Sequence, residues 1–470
     1  MSWVFVLVHL LGLLTAAHAV MTVRSSRGAV AWSIALLTFP WLTIPLYLVF
    51  GRNQFHGYAE ALHMAYSEHY ALANAAYQQV LEHKAKLPEE LQSFEHLAKR
   101  LTPLPFTQGN QVSLLVNGEA TFAAILAAIQ SAKTYILLQS YTIVDDEIGN
   151  EIRRALIEKA QQGVAVYFLY DGIGTRRLSR RYLRSLRRNQ VYVQIFKSSQ
   201  RPGNPWQINF RNHRKIVIVD GKVGFVGGLN ISDLYLSKHP PLSPWRDTHL
   251  QLQGPVVQCL QSSFLGDWFW ATRELPSVSW EVAPDLDHNQ TALLLTTGPA
   301  DRIPICSLFF VHAISQAKQR LWIASPYLVP DDALLMALKL AAIRGVDVRI
   351  LIPSRPDHLL VFFCAFSYFL EMQTAGIKIY RYEPGFLHQK VILIDQSMAG
   401  VGTVNLDNRS FFLNFEATVF VTNPEFVRSV EEMLLSDLQQ CRLIEIGESQ
   451  KFPLRLKFIA RIARLLSPIL

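Results

Sequence analysis

The residues of this chain best suited to chemistry occur twice, in one repeated pattern. His213, Lys215 and Asp220 are followed by Gly227, Gly228 and Asn230; His388, Lys390 and Asp395 are followed by Gly402, Thr403 and Asn405. Every spacing agrees between the two copies, which makes chance a poor account of them. An imidazole can attack phosphorus or carry a proton. Lysine ammonium groups and asparagine amides can stabilise charge on non-bridging oxygens, a role that metals fill elsewhere. If a twofold arrangement brings both copies to one cleft, the set suits phosphoryl transfer on a diester. One histidine would attack phosphorus and the other would protonate the leaving alkoxide. No carboxylate cluster of metal-binding type stands beside the histidines, so no metal or other cofactor is expected.

Each His-x-Lys opens an apolar, mostly β-branched run, Ile216–Val219 and Val391–Ile394, that reads as a buried strand. Alternation along a strand puts His and Lys on the same face. Asp220 and Asp395 follow these strands and precede turns, so on physical grounds they fix the turn rather than act chemically. Around each copy runs a β-α-β-α-β pattern. In the first half, strands are expected near Val112–Val116, Tyr135–Leu138 and Val164–Tyr170, with helices over Glu119–Ala132 and Glu147–Gln162. In the second, strands are expected near Leu293–Thr296, Arg320–Ala324 and Val346–Ile352, with helices over Ile305–Ala317 and Asp332–Arg344. Strands alternating with helices imply an α/β fold with a mixed or largely parallel sheet. Asp145-Asp146 matches Asp331-Asp332, and Gly163-Val164 matches Gly345-Val346. The reading is an internal duplication, two sheets facing each other across a pseudo-twofold axis.

Composition bears on location and partners. A 50% hydrophobic content is high for a soluble enzyme, and a net charge of +8 suits an anionic partner, nucleic acid or acidic lipid. The four cysteines, Cys259, Cys306, Cys364 and Cys441, form no CxxC pair and read as small buried hydrophobes. Trp3 to Val23 and Gly28 to Gly51 are uncharged and each long enough to cross a bilayer. Arg24 and Arg27 separate them and Arg52 closes the second. Ala17-His18-Ala19 resembles a cleavage site, but a basic region before it is missing, so a retained transmembrane helical hairpin is expected. Residues 54–105 read as a helical connector lifting the body off the membrane. Seven arginines within residues 176–188 offer a surface for anionic headgroups. The stretch Lys451–Leu470 fits an interfacial amphipathic helix.

The double HxKxxxxD pattern resembles the phospholipase D superfamily, and within it the membrane-anchored bacterial cardiolipin synthases. Supporting stretches are Arg211-Asn212-His213-Arg214-Lys215, Trp245-Arg246-Asp247-Thr248-His249, Ser325-Pro326-Tyr327, Pro356-Asp357-His358, Gly402-Thr403-Val404-Asn405-Leu406-Asp407 and Asn414-Phe415-Glu416. Gly228 and Thr403 depart from the family, where serine is common. The resemblance implies two tandem phospholipase D-like α-β-α halves, 109–280 and 281–445, after two transmembrane helices (1–53) and the connector (54–108), with a tail at 446–470. It implies a catalytic set of His213, Lys215, Asp220, His388, Lys390 and Asp395, with Asn230 and Asn405 on phosphate. His213 would form a phosphohistidine and His388 would act as acid and then base, or the reverse. Asp247 and Glu416 would orient the histidines. The implied reaction converts two phosphatidylglycerol molecules to cardiolipin and glycerol in a bacterial inner membrane, by a multi-pass enzyme with no use for nucleic acid. The alternative is a hydrolase of the same superfamily.

Overall fold

The apolar run after each His-x-Lys is an inner strand of the sheet. Ile216–Val219 and Val391–Ile394 are buried along their whole length, with Ile218 and Leu393 wholly so. Full burial of such side chains contributes roughly 1.5–3 kcal/mol apiece. The computed structural model describes residues 2–51, 54–198, 208–238, 240 and 242–470; Arg52 lies outside the described residues.

Both halves are built in one order. From the middle outward the first half runs Thr107–Val116, Thr248–Gln253, Val223–Gly227, Ile216–Val219, Tyr135–Ser140, Ala165–Asp171 and Tyr192–Phe196. The second runs Gln290–Thr297, Asn414–Val421, Met398–Gly402, Val391–Ile394, Arg320–Ala324, Asp347–Pro353 and Lys378–Tyr382. The outer three strands of each set are mutually parallel. Thr107–Val116 and Gln290–Thr297 pair antiparallel, with a register shift between Thr107 and Asn110. Two separate sheets were expected; this pairing joins them into one continuous sheet.

The expected helices are present, and their ends have local causes. Asp146 caps Glu147–Gln161 by accepting from the Gly149 N–H, and Asp331 caps Asp332–Ile343 by accepting from Leu334 N–H. Gly163 (φ +89°) and Gly345 (φ +92°) then turn the chain into the next strand in a conformation that excludes most side chains.

The connector is not a stalk. Its helices, Tyr58–Glu68, Tyr70–Glu82 and Gln92–Leu101, lie on the body. Phe55 and Tyr58 enter an aromatic cluster with Phe210, Trp270 and Phe415, while Phe94 packs against Phe309. These apolar groups gain more from burial against both halves than from a water-exposed spacer.

At the N-terminus, Trp3–Thr22 is a helix long and apolar enough to cross a membrane, with mean hydropathy 2.1. The second expected span is divided. Ser26–Thr38 ends at Phe39, whose φ of −133° and ψ of 58° leave the helix, and Pro40–Leu46 begins anew. Proline restricts the residue before it and offers no N–H, so the break falls there. The C-terminal helix Leu454–Leu465 docks on Leu359–Thr374 through Ala460, Ala463 and an Arg464–Glu371 pair at 2.7 Å, leaving Leu454, Phe458 and Leu465 exposed. In Arg180–Arg188, Tyr182 and Leu186 are buried and join Leu178 in the core. Cys259, Cys306 and Cys364 are buried, Cys441 is half-buried, and all four are free.

Candidate active site

Each histidine is held by the opposite half of the chain. Arg211–Asn212 pairs parallel with Asn414–Phe415, and the His213 N–H donates to the Phe415 carbonyl at 2.9 Å. Phe386–Leu387 pairs parallel with Trp245–Arg246, and the His388 N–H donates to the Arg246 carbonyl at 2.7 Å. The side chains cross in the same way. Nδ1 of His213 lies 2.9 and 3.0 Å from the two Glu416 oxygens, and Nδ1 of His388 lies 2.6 Å from Asp247 Oδ2. A carboxylate only accepts, so Nδ1 carries the proton in both rings and Nε2 keeps its lone pair for the cleft. Lys390 Nζ is also 3.0 Å from His388 Nδ1. One Nδ1–H cannot donate to Asp247 and accept from an ammonium, and the shorter carboxylate contact takes it. Lys390 donates instead to the His388 carbonyl, as Lys215 does to that of His213 at 2.7 Å.

Burial decides the charge states. Loss of water pushes both imidazoles down to about 4, against the pull of Glu416 on His213; for His388 the Lys390 charge adds to the depression. Both rings are therefore neutral near pH 7. Burial lowers Lys390 to about 8, opposed by Asp247 and Glu416, and holds Lys215 well below the ordinary lysine value. Burial alone would raise Asp247 and Glu416. The hydrogen-bonded histidine, protonated at the acid pH where a carboxyl titrates, and a nearby lysine outweigh it and keep both below the usual carboxylate range. The two parallel strand pairs and the two crossed carboxylate contacts bring both copies of the pattern to one site.

The aspartates of the motif stand at the far ends of their strands. Asp220 accepts from the N–H groups of Lys133, Thr134 and Tyr135 at 2.8–2.9 Å, and from the Thr134 hydroxyl. Asp395 accepts from the N–H groups of Lys318, Gln319 and Arg320 at 2.8–2.9 Å. Both have positive φ, 53° and 50°. In this placement both carboxylates tie turns. The two asparagines also differ. Asn230 accepts from Thr142 N–H at 3.1 Å and donates to the Tyr235 hydroxyl, so both ends of its amide are engaged. Asn405 Oδ1 is buried without a hydrogen-bond partner among the described residues.

Comparison with known proteins bears on this geometry. The family described as "Cardiolipin synthase, PLD-like domain" matches residues 125–240 and 310–438, and that described as "Phospholipase_D-nuclease N-terminal" matches 2–52. Cardiolipin synthase A of Pseudomonas putida is 47% identical over 99% of this chain and 97% of its own length. That of Pseudomonas fluorescens is 47% identical over 98% and 97%. The chain belongs to the cardiolipin synthase family. A phosphatidylserine synthase of Haemophilus influenzae has a similar fold, with TM-score 0.60 and 16% identity over 80% of this chain and all of that one.

This cardiolipin synthase family member carries supporting residues that sequence reasoning missed. Arg214, between His213 and Lys215, donates to both Asp267 oxygens at 2.9 Å, and Tyr58 of the connector donates to Asp267 at 2.6 Å. In the second half Arg246 grips Asp437 through Nε and Nη2 at 2.6 and 2.8 Å, and Gln389 donates to the same carboxylate at 2.7 Å. A signal was present: Asp267 is the lone charge in the apolar helix Pro255–Thr272. The departures at 228 and 403 now have a cause. The Thr403 hydroxyl donates to Glu416 and accepts from Ala417 N–H. At Gly228 a Cβ would come within 1.9 Å of Asp247 Oδ1. The longer carboxylate is steadied by a hydroxyl, and the shorter one occupies the space a side chain would need.

Proposed function

We propose that this chain makes cardiolipin by phosphatidyl transfer between two phosphatidylglycerol molecules through a phosphohistidine. The enzyme is a phosphatidyltransferase, and its substrates are membrane phospholipids. The observation that carries the mechanism is the crossed pairing, His213 with Glu416 and His388 with Asp247. It leaves two imidazoles with Nε2 free at a site that also holds two buried lysines.

Nε2 of His213 attacks phosphorus as the bond to the glycerol oxygen breaks. His388 gives its Nε2 proton to that oxygen, and glycerol leaves. The resting His388 is neutral. The bound phosphodiester anion offsets the lysine charges and raises its proton affinity, so substrate and proton arrive together. In the second step the primary hydroxyl of another phosphatidylglycerol attacks. Its proton goes to His388, its oxygen bonds phosphorus, and the N–P bond breaks. Lys215 and Lys390 neutralise the non-bridging oxygens, and the Asn405 Nδ2–H donates to them. Asn230 reaches phosphate only by releasing the Tyr235 hydroxyl. The matched strand orders support halves related by a pseudo-twofold axis. The apolar N-terminal helices support a hairpin in the inner membrane, the second leg kinked at Pro40.

The test is product analysis. Full-length protein in detergent, given phosphatidylglycerol alone, is expected to yield cardiolipin and glycerol in equal amounts by mass spectrometry. Phosphatidic acid without cardiolipin would overturn the proposal and favour the hydrolase.

A further inference from the structure

The two ends of the site differ in how their acids are used, although the halves are built alike. In each half a tyrosine follows the first parallel strand and an aspartate lies at or just past the end of the second. These are Tyr141 and Asp171 in the first half, Tyr327 and Asp357 in the second.

In the first half the acid is consumed by the fold. Asp171 accepts from the N–H groups of Ile173, Gly174 and Asn212 at 2.8–2.9 Å. Tyr141 packs edge-on against His213, with Lys215 Nζ 5.3 Å from its ring centre and the Arg211 and Arg409 charges beside it.

In the second half the acid stays open. Asp357 accepts from the Tyr327 hydroxyl on Oδ2 at 2.6 Å, and Oδ1 has no hydrogen bond among the described residues. Its side chain is 20% exposed, and His358 Nε2 lies 3.9 Å from Oδ2. Pro326, Tyr327, Asp357 and Phe362 line one groove. Ser325 Oγ donates to the Tyr327 carbonyl and accepts from the Leu406 N–H, which seats the Tyr327–Asp357 pair next to Asn405; Ser325 and Lys390 line one cavity, and the Asp357 charge acts on Lys390 and His388.

A carboxylate facing a site for anionic diesters repels phosphate. It suits a part of the substrate that is uncharged and donates hydrogen bonds. In the mechanism above, His388 handles the glycerol oxygen that leaves and then the glycerol hydroxyl that enters. In both steps the carbon next to the reacting primary oxygen carries a secondary hydroxyl. We propose that Asp357, aimed by Tyr327, accepts a hydrogen bond from that secondary hydroxyl and forms a polyol subsite that selects a vicinal diol. The subsite serves departing glycerol in the first step and the acceptor headgroup in the second. It rests on the transferase reading.

The test uses full-length enzyme in detergent with phosphatidylglycerol as donor and soluble alcohols as acceptors. Phosphatidyl-alcohol products are quantified by mass spectrometry. The kcat/KM for 1,2-propanediol is expected to exceed that for 1-propanol by about tenfold or more, the effect of one hydrogen bond to a charged group. With 1,3-propanediol, which lacks the neighbouring hydroxyl, the enzyme should behave as with 1-propanol. Asp357→Ala should bring the 1,2-propanediol to 1-propanol ratio to within about threefold of one. Equal use of all three alcohols by the unmodified enzyme overturns the subsite, as does an unchanged ratio in Asp357→Ala. If Asp357→Ala gives no product with any alcohol, Tyr327→Phe decides: a lowered ratio supports the subsite and an unchanged one overturns it. Phosphatidic acid alone from the unmodified enzyme, with no phosphatidyl-alcohol, overturns the transferase reading and the subsite with it.

Discussion

Glu416 Oε2 lies 2.9 Å from Nδ1 of His213, and the two residues belong to opposite halves of the chain. His388 and Asp247 cross the same boundary in the other direction. Neither half therefore sets the tautomer of its own histidine, and the site exists only once the halves have joined. Glu416→Gln should keep the shape but allow the amide to donate to Nδ1. That moves the ring proton to Nε2 and removes the lone pair from the cleft. By analogy with the aspartate-to-asparagine change in serine protease triads, kcat should fall about 10³–10⁴-fold. Turnover measured beside a circular dichroism spectrum checks this; a near-normal kcat in a folded variant would remove the orienting role.

The residues at 228 and 403 should not be exchangeable. A side chain at 228 meets Asp247 Oδ1 at 1.9 Å, a separation no structure tolerates without movement. Gly228→Ser is expected to push Asp247 away from His388 and lower kcat by about tenfold or more, in proportion to the lost hydrogen bond to a charged group. Thr403→Ser keeps the hydroxyl on Glu416 and should retain most activity, whereas Thr403→Val should not. Steady-state kinetics on the three variants would reveal the reverse order if these hydroxyls served phosphate directly.

The alkaline limb of the pH profile should belong to Lys390. Burial brings its ammonium down to about 8, so it is charged below that pH and loses the proton above it. His388, lowered to about 4, takes up its proton with the substrate, so kcat/KM, which reports the free enzyme, should fall steadily with pH from there. The Lys390 charge is needed on the phosphate oxygens, so the decline should steepen above about pH 8. Lys390→Arg should be slower, because a planar fork replaces a point charge, and it should lose the limb near pH 8; a limb that remains at another pH belongs to Lys215, whose ammonium burial also lowers. A limb that stays near pH 8 in Lys390→Arg would assign it to another group.

Much of this was legible in the sequence because the pattern was local. Arg320–Ala324 appears as a strand with the expected ends, since a short, mostly apolar run between helical stretches has few alternatives. Asp247 and Glu416 could be read as partners of the histidines, but which carboxylate serves which ring could not. That depends on two parallel strand pairs between distant segments, Arg211–Asn212 with Asn414–Phe415 and Phe386–Leu387 with Trp245–Arg246. Composition also misplaced the connector. Its polar face hid how Phe55, Tyr58 and Phe94 anchor it to the body. The uncharged stretch from Gly28 to Gly51 satisfied a length count, while the backbone breaks at Phe39.

Fold and chemistry can be separated within the motif itself. Asp220 sits at positive φ, a conformation aspartate tolerates better than most residues, and accepts from three successive backbone N–H groups. Burial would raise its carboxyl, but these donors outweigh it and hold the group below its ordinary value. A carboxyl depressed by folding contributes stability that is full above its unfolded pKa and is lost as acid protonates the folded form. Asp220→Ala should therefore cost about 2 kcal/mol near neutral pH, a figure reduced from the sum of its hydrogen bonds because the group is partly exposed. The cost should shrink in acid, where the unmodified protein loses the same contribution. Unfolding followed by fluorescence at both pH values measures this, and kcat per folded molecule should stay within about threefold of normal, the range expected for a residue that only supports the fold. A collapse in kcat with unaltered stability would return Asp220 to the reacting groups, because a turn anchor cannot lose chemistry while the turn stands.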